Sequence, residues 1–264
     1  MSIELRQVCF RYPNGTLANE DLNLTIRDGE RVAIIGQNGA GKTTAVKLMN
    51  GLNRPTEGDV TVNGVNTRQH TTAFISGMVG YVFQNPDDQI FKTTVRDEVE
   101  FWGRYHRLPE EEIQRRVRRA VDLSGIERYF DNNPYEIPYS TKKFVSIASV
   151  LTAQTPYLIL DEPTAGQDVA GVACLARLVD TLSGEGTAVI TISHDMEFVA
   201  ANFRRVIVMA HRQIIADGTP EEIFEDEQIL REARIKKPQI GELASRLGYR
   251  NTLQIGDLVA KLSN

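Results

Sequence analysis

The stretch "VAIIGQNGAGKTT", Val32 to Thr44, decides the fold. Four consecutive apolar residues, Val32 to Ile35, read as a strand buried on both faces. Gly36 to Thr44 then follows the pattern G-x-x-x-x-G-K-[ST]. Its glycines let the backbone wrap close to phosphate oxygens with the N–H groups pointing inward. A helix from Lys42 toward Asn50, closed by Gly51, sets its positive end behind that loop. Lys42 reaches the terminal phosphates, and the Thr43 hydroxyl can join a Mg²⁺ shell. A buried strand before and a helix after separate this motif from a chance glycine-rich turn. Asn38, Gly39, Ala40, Gly41, Lys42, Thr43 and Thr44 are therefore the candidate nucleotide-binding loop.

A second strand supplies the acid groups. In "YLILDEPTAG", Tyr157 to Gly166, Asp161 ends a very apolar run. A carboxylate there needs a partner, and Mg²⁺ fits. Glu162 follows and, by strand alternation, points the other way, where it can face an attacking water as general base. Two more strand ends add to the set. Gln84 closes the strand Met78–Phe83 and can reach the metal or the water. His194 follows the strand Ala188–Ile192 and can hydrogen-bond a terminal phosphate. The metal-ligand candidates are Thr43, Gln84 and Asp161, and the catalytic candidates are Lys42, Gln84, Glu162 and His194.

Outward from these motifs the chain changes character. Ile3 and Leu5, then Leu22, Leu24 and Ile26, alternate with polar residues, as half-exposed antiparallel strands do. Val60 to Gly64 predicts a hairpin. Residues from about 85 to 155 are mostly helical, with Ile113, Val117, Ala120 and Val121 as one apolar stripe. Arg115, Arg116, Arg118 and Arg119 surround it and read as a solvated face balancing the nearby glutamates. Strand and helix then alternate again. Thr219-Pro220-Glu221-Glu222 has the form of a capping box. Ser140 or Thr141 is expected to cap the helix that runs to Leu151, and Thr252 the last helix.

The chain has 264 residues, a net charge of -5 and two cysteines, Cys9 and Cys174, far apart. The acidic balance argues against a nucleic-acid partner. The cysteines read as small apolar residues in a reducing compartment. Neither a signal-peptide pattern nor an apolar run near the roughly 20 residues of a membrane span is present. The expectation is a cytoplasmic chain with no direct membrane span.

Over about residues 2 to 225 these motifs together resemble the ATP-binding cassette (ABC) ATPases. "GQNGAGKTT" resembles Walker A, "YLILDEP" Walker B with its catalytic glutamate, "VFQNP" the Q-loop and "TISHD" the switch-histidine loop. The resemblance implies ATP and Mg²⁺ as ligands. It places Tyr12 where an aromatic stacks on adenine, and Asp168 at the D-loop aspartate, although "AGQDV" departs from the usual leucine and proline around it. "QNPDDQIF" and the tail "KKPQIGELASRLGY" also resemble the ATPases of energy-coupling-factor importers. The implied fold is α/β: a P-loop NTPase core with an antiparallel β subdomain, a helical subdomain over about 85–155 and a short C-terminal helical extension. The implied organisation is an ATPase domain over 1–225 and a C-terminal helical extension for dimerisation over 226–264. The implied place is the cytoplasmic face of the cell membrane, peripheral. There the Q-loop and helical region, with carboxylates Asp87, Asp88, Asp97, Glu98 and Glu100, would meet integral membrane transport subunits.

One turn departs from the pattern. ABC ATPases pair head to tail, each ATP lying between one Walker A loop and the partner's Leu-Ser-Gly-Gly-Gln turn. Distance from Walker B aligns that turn here with Ile137-Pro138-Tyr139-Ser140-Thr141. Pro138 removes a hydroxyl and a backbone N–H, while Tyr139 and Ser140 stand where glycines allow close approach. A heterodimer with a second, paralogous ATPase is therefore expected, with one good site and one poor one. The alternatives are a weakly hydrolysing regulatory subunit or a non-transport ABC ATPase.

Overall fold

The computed structural model describes residues 1–263. Its strands are β1 (Ser2–Arg11), β2 (Leu17–Arg27), β3 (Arg31–Ile35), β4 (Glu57–Val62), β5 (Val65–Asn66), β6 (Val79–Val82), β7 (Tyr157–Asp161), β8 (Ala188–Ile192), β9 (Arg205–Ala210) and β10 (Gln213–Gly218). Its helices are α1 (Lys42–Met49), α2 (Thr72–Ser76), α3 (Val95–Tyr105), α4 (Glu110–Ser124), α5 (Tyr139–Leu151), α6 (Val169–Gly184), α7 (Met196–Asn202), α8 (Pro220–Glu225), α9 (Glu227–Ala233), α10 (Gln239–Arg246) and α11 (Ile255–Leu262).

The alternating and the continuous apolar patterns build two different sheets. β2, β1, β4 and β5 form an antiparallel sheet in that order. The continuous runs form a second sheet in the order β10-β9-β3-β8-β7-β6. There β9, β3, β8, β7 and β6 pair in parallel, and β10 closes the edge antiparallel to β9.

The period of two in β3 divides the core. Val32 and Ile34 face Ile3, Leu5, Ile26 and Val60 of the antiparallel sheet. Ala33 and Ile35 face the opposite layer, which holds Val145 and Ile147 of α5, Leu175 of α6 and Val199 of α7. The parallel strands are thus covered on both faces, which is why they carry no alternation. Helices α3, α4 and α5 pack on one another and α5 on β6, so the helical subdomain hangs from the β6–β7 edge. On α4, Arg115 and Arg116 pair with Glu112, and Arg119 pairs with Glu185 of the α6–β8 turn.

Two expected caps are not formed. Helix α5 starts at Tyr139, with Pro138 as N-cap and no side-chain bond. Ser140 and Thr141 lie inside its first turn, because the fixed φ of Pro138 (−56°) already starts the helix before them. Helix α11 starts at Ile255 behind Gln254. The buried Thr252 hydroxyl is engaged elsewhere, donating to the Arg250 carbonyl at 3.0 Å and accepting from Lys261 Nζ at 2.7 Å. The Thr219–Glu222 capping box forms as read.

In the last segment, Leu230 and Ala233 of α9 join the main core. Helices α10 and α11 pack together, with Ala244 and Leu258 buried and Leu243, Leu247, Val259 and Leu262 exposed. Among the described residues no helix is long and apolar enough to cross a membrane.

Tyr157 ties three segments at the start of β7. Its ring is fully buried. Its hydroxyl donates to Asp28 Oδ1 at 2.6 Å and lies 2.7 Å from the Asn63 amide oxygen, fastening the β2–β3 connection and the β4–β5 hairpin turn to the parallel sheet. This bond, with the N-terminal ammonium, holds the Asp28 carboxyl below its ordinary range. The Tyr157→Phe variant is expected to lose about 1 kcal/mol at neutral pH, a low-end value because the Asp28 side chain is 40% exposed. A group with a lowered folded pKa stabilises above its unfolded pKa and ceases to as pH falls through the folded value. The difference between wild type and variant should therefore shrink below about pH 4, as measured by denaturant unfolding across pH.

Candidate functional site

Four strand ends of the parallel sheet deliver the motif residues to one place. Asn38, Gly39, Ala40, Gly41, Lys42, Thr43, Thr44, Gln84, Asp161, Glu162 and His194 all line a single cavity of about 200 Å³, with Ile192 as the remaining wall. The loop after β3 runs into α1 through Gly41, whose φ of 97° is left-handed. A Cβ there would lie 2.4 Å from the Ala18 carbonyl and the Asn19 amide nitrogen, so glycine is required for close approach to β2. Asn19, fully buried on β2, donates to the Gly41 carbonyl at 3.2 Å and so supports the loop from behind.

Lys42 is 6% exposed, and its Nζ donates to the carbonyls of Gly36 (2.8 Å) and Gln37 (3.0 Å). Burial lowers its pKa, and Glu162 and Asp161 push it back up. Thr43 and Gln84 are exposed toward the cavity. Tyr12 is not part of the cavity wall. It stands at the rim, 38% exposed, its ring edge-on to Phe10 and its hydroxyl 3.0 Å from Thr44 Oγ1.

The carboxylates depart from simple strand alternation. β7 ends at Asp161, and Glu162 has a left-handed backbone with φ 49°. That turn swings its side chain into the same cavity as Asp161 instead of the opposite face. A non-glycine residue held there stores roughly 1–3 kcal/mol of strain, which the surroundings must hold in place. Glu162 N–H donates to the Ile192 carbonyl at 2.9 Å, and its Oε2 accepts the His194 N–H at 3.1 Å. The His194 ring Nε2 lies 3.4 Å from Glu162 Oε1.

Burial raises the pKa of both carboxyls, with the neighbouring Asp161 charge adding to the rise at Glu162. Asp161 Oδ2 accepts from the buried Tyr81 hydroxyl at 2.7 Å. Burial and the charge of Lys42 lower the pKa of His194, which keeps its imidazole neutral at pH 7. The Thr43 hydroxyl, the Gln84 amide and the Asp161 carboxylate bring hard oxygen donors to this one cavity, a set that suits Mg²⁺ with phosphate and water completing its shell. Asp168 is the N-cap of α6, its Oδ1 accepting the Gly171 N–H at 2.8 Å.

Sequence reading missed three supports: Asn19, Tyr81 and Lys143. All act from elements whose patterns look purely structural. Lys143 is 1% exposed and donates from Nζ to the Glu162 carbonyl at 2.6 Å. The acidic face expected around residues 87–100 is also smaller than read. Glu98 is buried, accepting from the Phe91 and Lys92 N–H groups, and Glu100 is buried against Arg104 and Gln114. Asp87, Asp88 and Asp97 remain exposed, with Asp87 paired to Lys142 at 2.8 Å.

Known proteins share this sequence pattern and this fold. The family described as ABC transporter matches residues 19–165. The energy-coupling factor transporter ATP-binding protein EcfA of Methanothermobacter thermautotrophicus is 39% identical over 247 residues, 93% of this chain and 79% of that protein. The EcfA of Methanocaldococcus jannaschii is 36% identical over 255 residues, 96% of this chain and 91% of that protein. Among solved structures, CbiO1 from Clostridium perfringens, described as part of the ABC transporter complex CbiONQ, superposes with a TM-score of 0.78. It is 33% identical, over 92% of this chain and 98% of that one. The chain therefore belongs to the ABC transporter family, as one of its ATP-binding subunits.

Proposed function

We propose that this chain binds and hydrolyses ATP to power an importer of the energy-coupling-factor type, in a heterodimer with a second ATPase. The observation that carries hydrolysis is the single cavity that joins the loop Asn38–Thr44 to Gln84, Asp161, Glu162 and His194. The loop N–H groups and the start of α1 bind the phosphates, and Lys42 adds the compact positive charge that the terminal phosphates need. Tyr12, at the rim beside Thr44, supplies a ring face for the adenine. Thr43, Gln84 and Asp161 would hold Mg²⁺, which when bound offsets the charge on the phosphate oxygens. Glu162 takes the proton of the attacking water, a task suited by its raised pKa. His194, neutral, hydrogen-bonds the terminal phosphate and fixes the Glu162 carboxylate through its own N–H.

Asymmetry is supported by the start of α5. Pro138 offers neither an N–H nor a side-chain donor there, and no side chain caps the helix. Tyr139, 46% exposed, stands over Gly166 where a glycine pair would admit a phosphate. The partner's nucleotide, facing Ile137–Thr141, is then held and turned over poorly. This chain's own site works when the partner supplies a complete signature turn. A weakly hydrolysing regulatory role shares the degenerate turn, but the complete set around Glu162 and His194 favours turnover.

The membrane subunits meet the groove between β6 and the helical subdomain. It holds about 270 Å³ and is lined by Leu52, Phe83, Phe91, Phe101 and Trp102, with the Asp87–Asp88 edge nearby. Docking there holds the chain peripherally at the cytoplasmic face of the membrane. The exposed apolar residues of α10 and α11 meet the second ATPase.

In the complex co-purified on a tag on this chain, Glu162→Gln should lower ATP turnover by about 100-fold or more while nucleotide binding persists. Unchanged turnover would remove Glu162 from the reaction. For the isolated chain, the combined change Pro138→Ser, Tyr139→Gly and Ser140→Gly should raise turnover by about 10-fold or more, by restoring donors to the γ-phosphate. Rapid hydrolysis by the unaltered isolated chain would contradict the asymmetric reading.

A further inference from the structure

Strand geometry alone sends Asp161 and Glu162 to opposite faces of the sheet. Both enter one cavity only because the backbone turns left-handed at Glu162, with φ 49°. Something must hold that turn. On one side the Glu162 N–H is fixed by the Ile192 carbonyl of β8 at 2.9 Å. On the other side the Glu162 carbonyl accepts the Lys143 ammonium at 2.6 Å and the Ala165 N–H at 3.3 Å. The charged and shorter of these two bonds comes from α5.

Lys143 is an unusual group to find there. It is 1% exposed, and among the described residues the Glu162 carbonyl is its one hydrogen-bond acceptor. Burial lowers its pKa, while the charges of Glu162 and Asp161 raise it. Two further contacts join the same helix start to the same loop. Gln167 Nε2 donates to the Ser140 carbonyl at 3.0 Å. At Gly166, φ 76°, an added Cβ would lie 3.3 Å from the Tyr139 ring. The first turns of α5 and the loop 162–167 are therefore braced at three points.

We propose that Lys143 is a positioning residue for ATP hydrolysis: its bond to the Glu162 carbonyl holds the left-handed turn that aims the Glu162 carboxylate into the nucleotide cavity. The proposal rests on the reading of Glu162 as general base. Without the ammonium, the Glu162 carbonyl keeps only the longer bond from the Ala165 N–H, the peptide after Glu162 turns more easily, and the carboxylate is held less firmly against the His194 N–H. Nucleotide binding does not depend on this turn, because the phosphate loop is built on β3 and α1. The chain holding the turn is the one that begins at the degenerate Ile137–Thr141 segment, so a shift of that helix start reaches Glu162 through four residues of helix.

The test uses Lys143→Met, which keeps the apolar stem and removes the donor, and Lys143→Gln, which keeps a shorter, neutral donor. Each is measured in the co-purified complex, alone and combined with Glu162→Gln. Lys143→Met should lower kcat by about 10-fold or more, the range seen for outer partners of catalytic groups, with KM for ATP within about 2-fold of wild type. Lys143→Gln should recover part of kcat, to within about 3-fold of wild type. In the Glu162→Gln background, Lys143→Met should change turnover by less than about 2-fold, since residues acting through one group are not additive. Unfolding midpoints and binding of a fluorescent ATP analogue separate this from loss of fold. If Lys143→Met does not fold, Lys143→Gln decides: a small loss of kcat, about 2- to 3-fold at unchanged KM, supports the proposal, and wild-type kcat overturns it. A wild-type kcat in a folded Lys143→Met variant, or an equal loss in both backgrounds, also overturns it. Full turnover by Glu162→Gln alone would instead remove the reading of Glu162, and this proposal with it.

Discussion

Two carboxylates buried side by side at the end of β7 set the terms for the rest of the structure. A carboxylate out of water needs charge or hydrogen bonds, and two in one cavity repel. The protein meets both demands with groups from separate elements. Tyr81 of β6 donates to Asp161, and the His194 N–H, just past β8, donates to Glu162. Lys42 of α1 and Lys143 of α5 bring positive charge from two directions. Each support stands at the end of a strand or at the start of a helix in the parallel sheet. The sheet order β3-β8-β7-β6 is therefore also the layout of the site.

Much of this was legible in the sequence. The phosphate loop declares itself by residue type and spacing, and its strand–helix context could be read beside it. The buried parallel strands appear as runs without alternation, and the antiparallel strands as alternation, because burial on two faces or one is written directly into the pattern. The supports were not legible. Asn19, Tyr81 and Lys143 sit on segments whose apolar pattern is complete without them. Only the three-dimensional register brings the Asn19 amide to Gly41 and the Lys143 ammonium to Glu162. The turn at Glu162 also defeats strand alternation, because a left-handed backbone at a residue that is not glycine has no marker in its side chain. The misread caps at Ser140 and Thr252 share one cause. A capping side chain is recognised by type, but whether it caps depends on a neighbour: Pro138 takes the N-cap position ahead of Ser140, and Lys261 engages the Thr252 hydroxyl. The carboxylates Glu98 and Glu100 failed as surface groups for the same reason, each being turned inward by partners on other turns.

On the proposed reading, the two departures from the family pattern meet in space. Tyr139 and Ser140 of the helix start touch Gly166 and Gln167 of the loop that follows the catalytic carboxylates. The Tyr139 ring, which weakens the turn toward a partner's nucleotide, thus packs by Gly166 inside the chain, and Gln167 adds a bond to the backbone of the same turn. A helix start that no longer grips phosphate is free to serve as a buttress. This gives a physical reason for an unequal pair of sites, in which one chain keeps its own hydrolytic cavity and lends its partner a poor one.

On the proposed reading, this chain does not close on itself around ATP. Light scattering after size-exclusion chromatography of the Glu162→Gln variant, with and without Mg·ATP, reads this out, because removing the proposed general base should trap any ATP-closed dimer. The expected result is a chain that binds ATP and stays monomeric. A stable dimer that forms only with Mg·ATP would contradict it, since the turn at Ile137–Thr141 would then grip the γ-phosphate well enough for a symmetric engine.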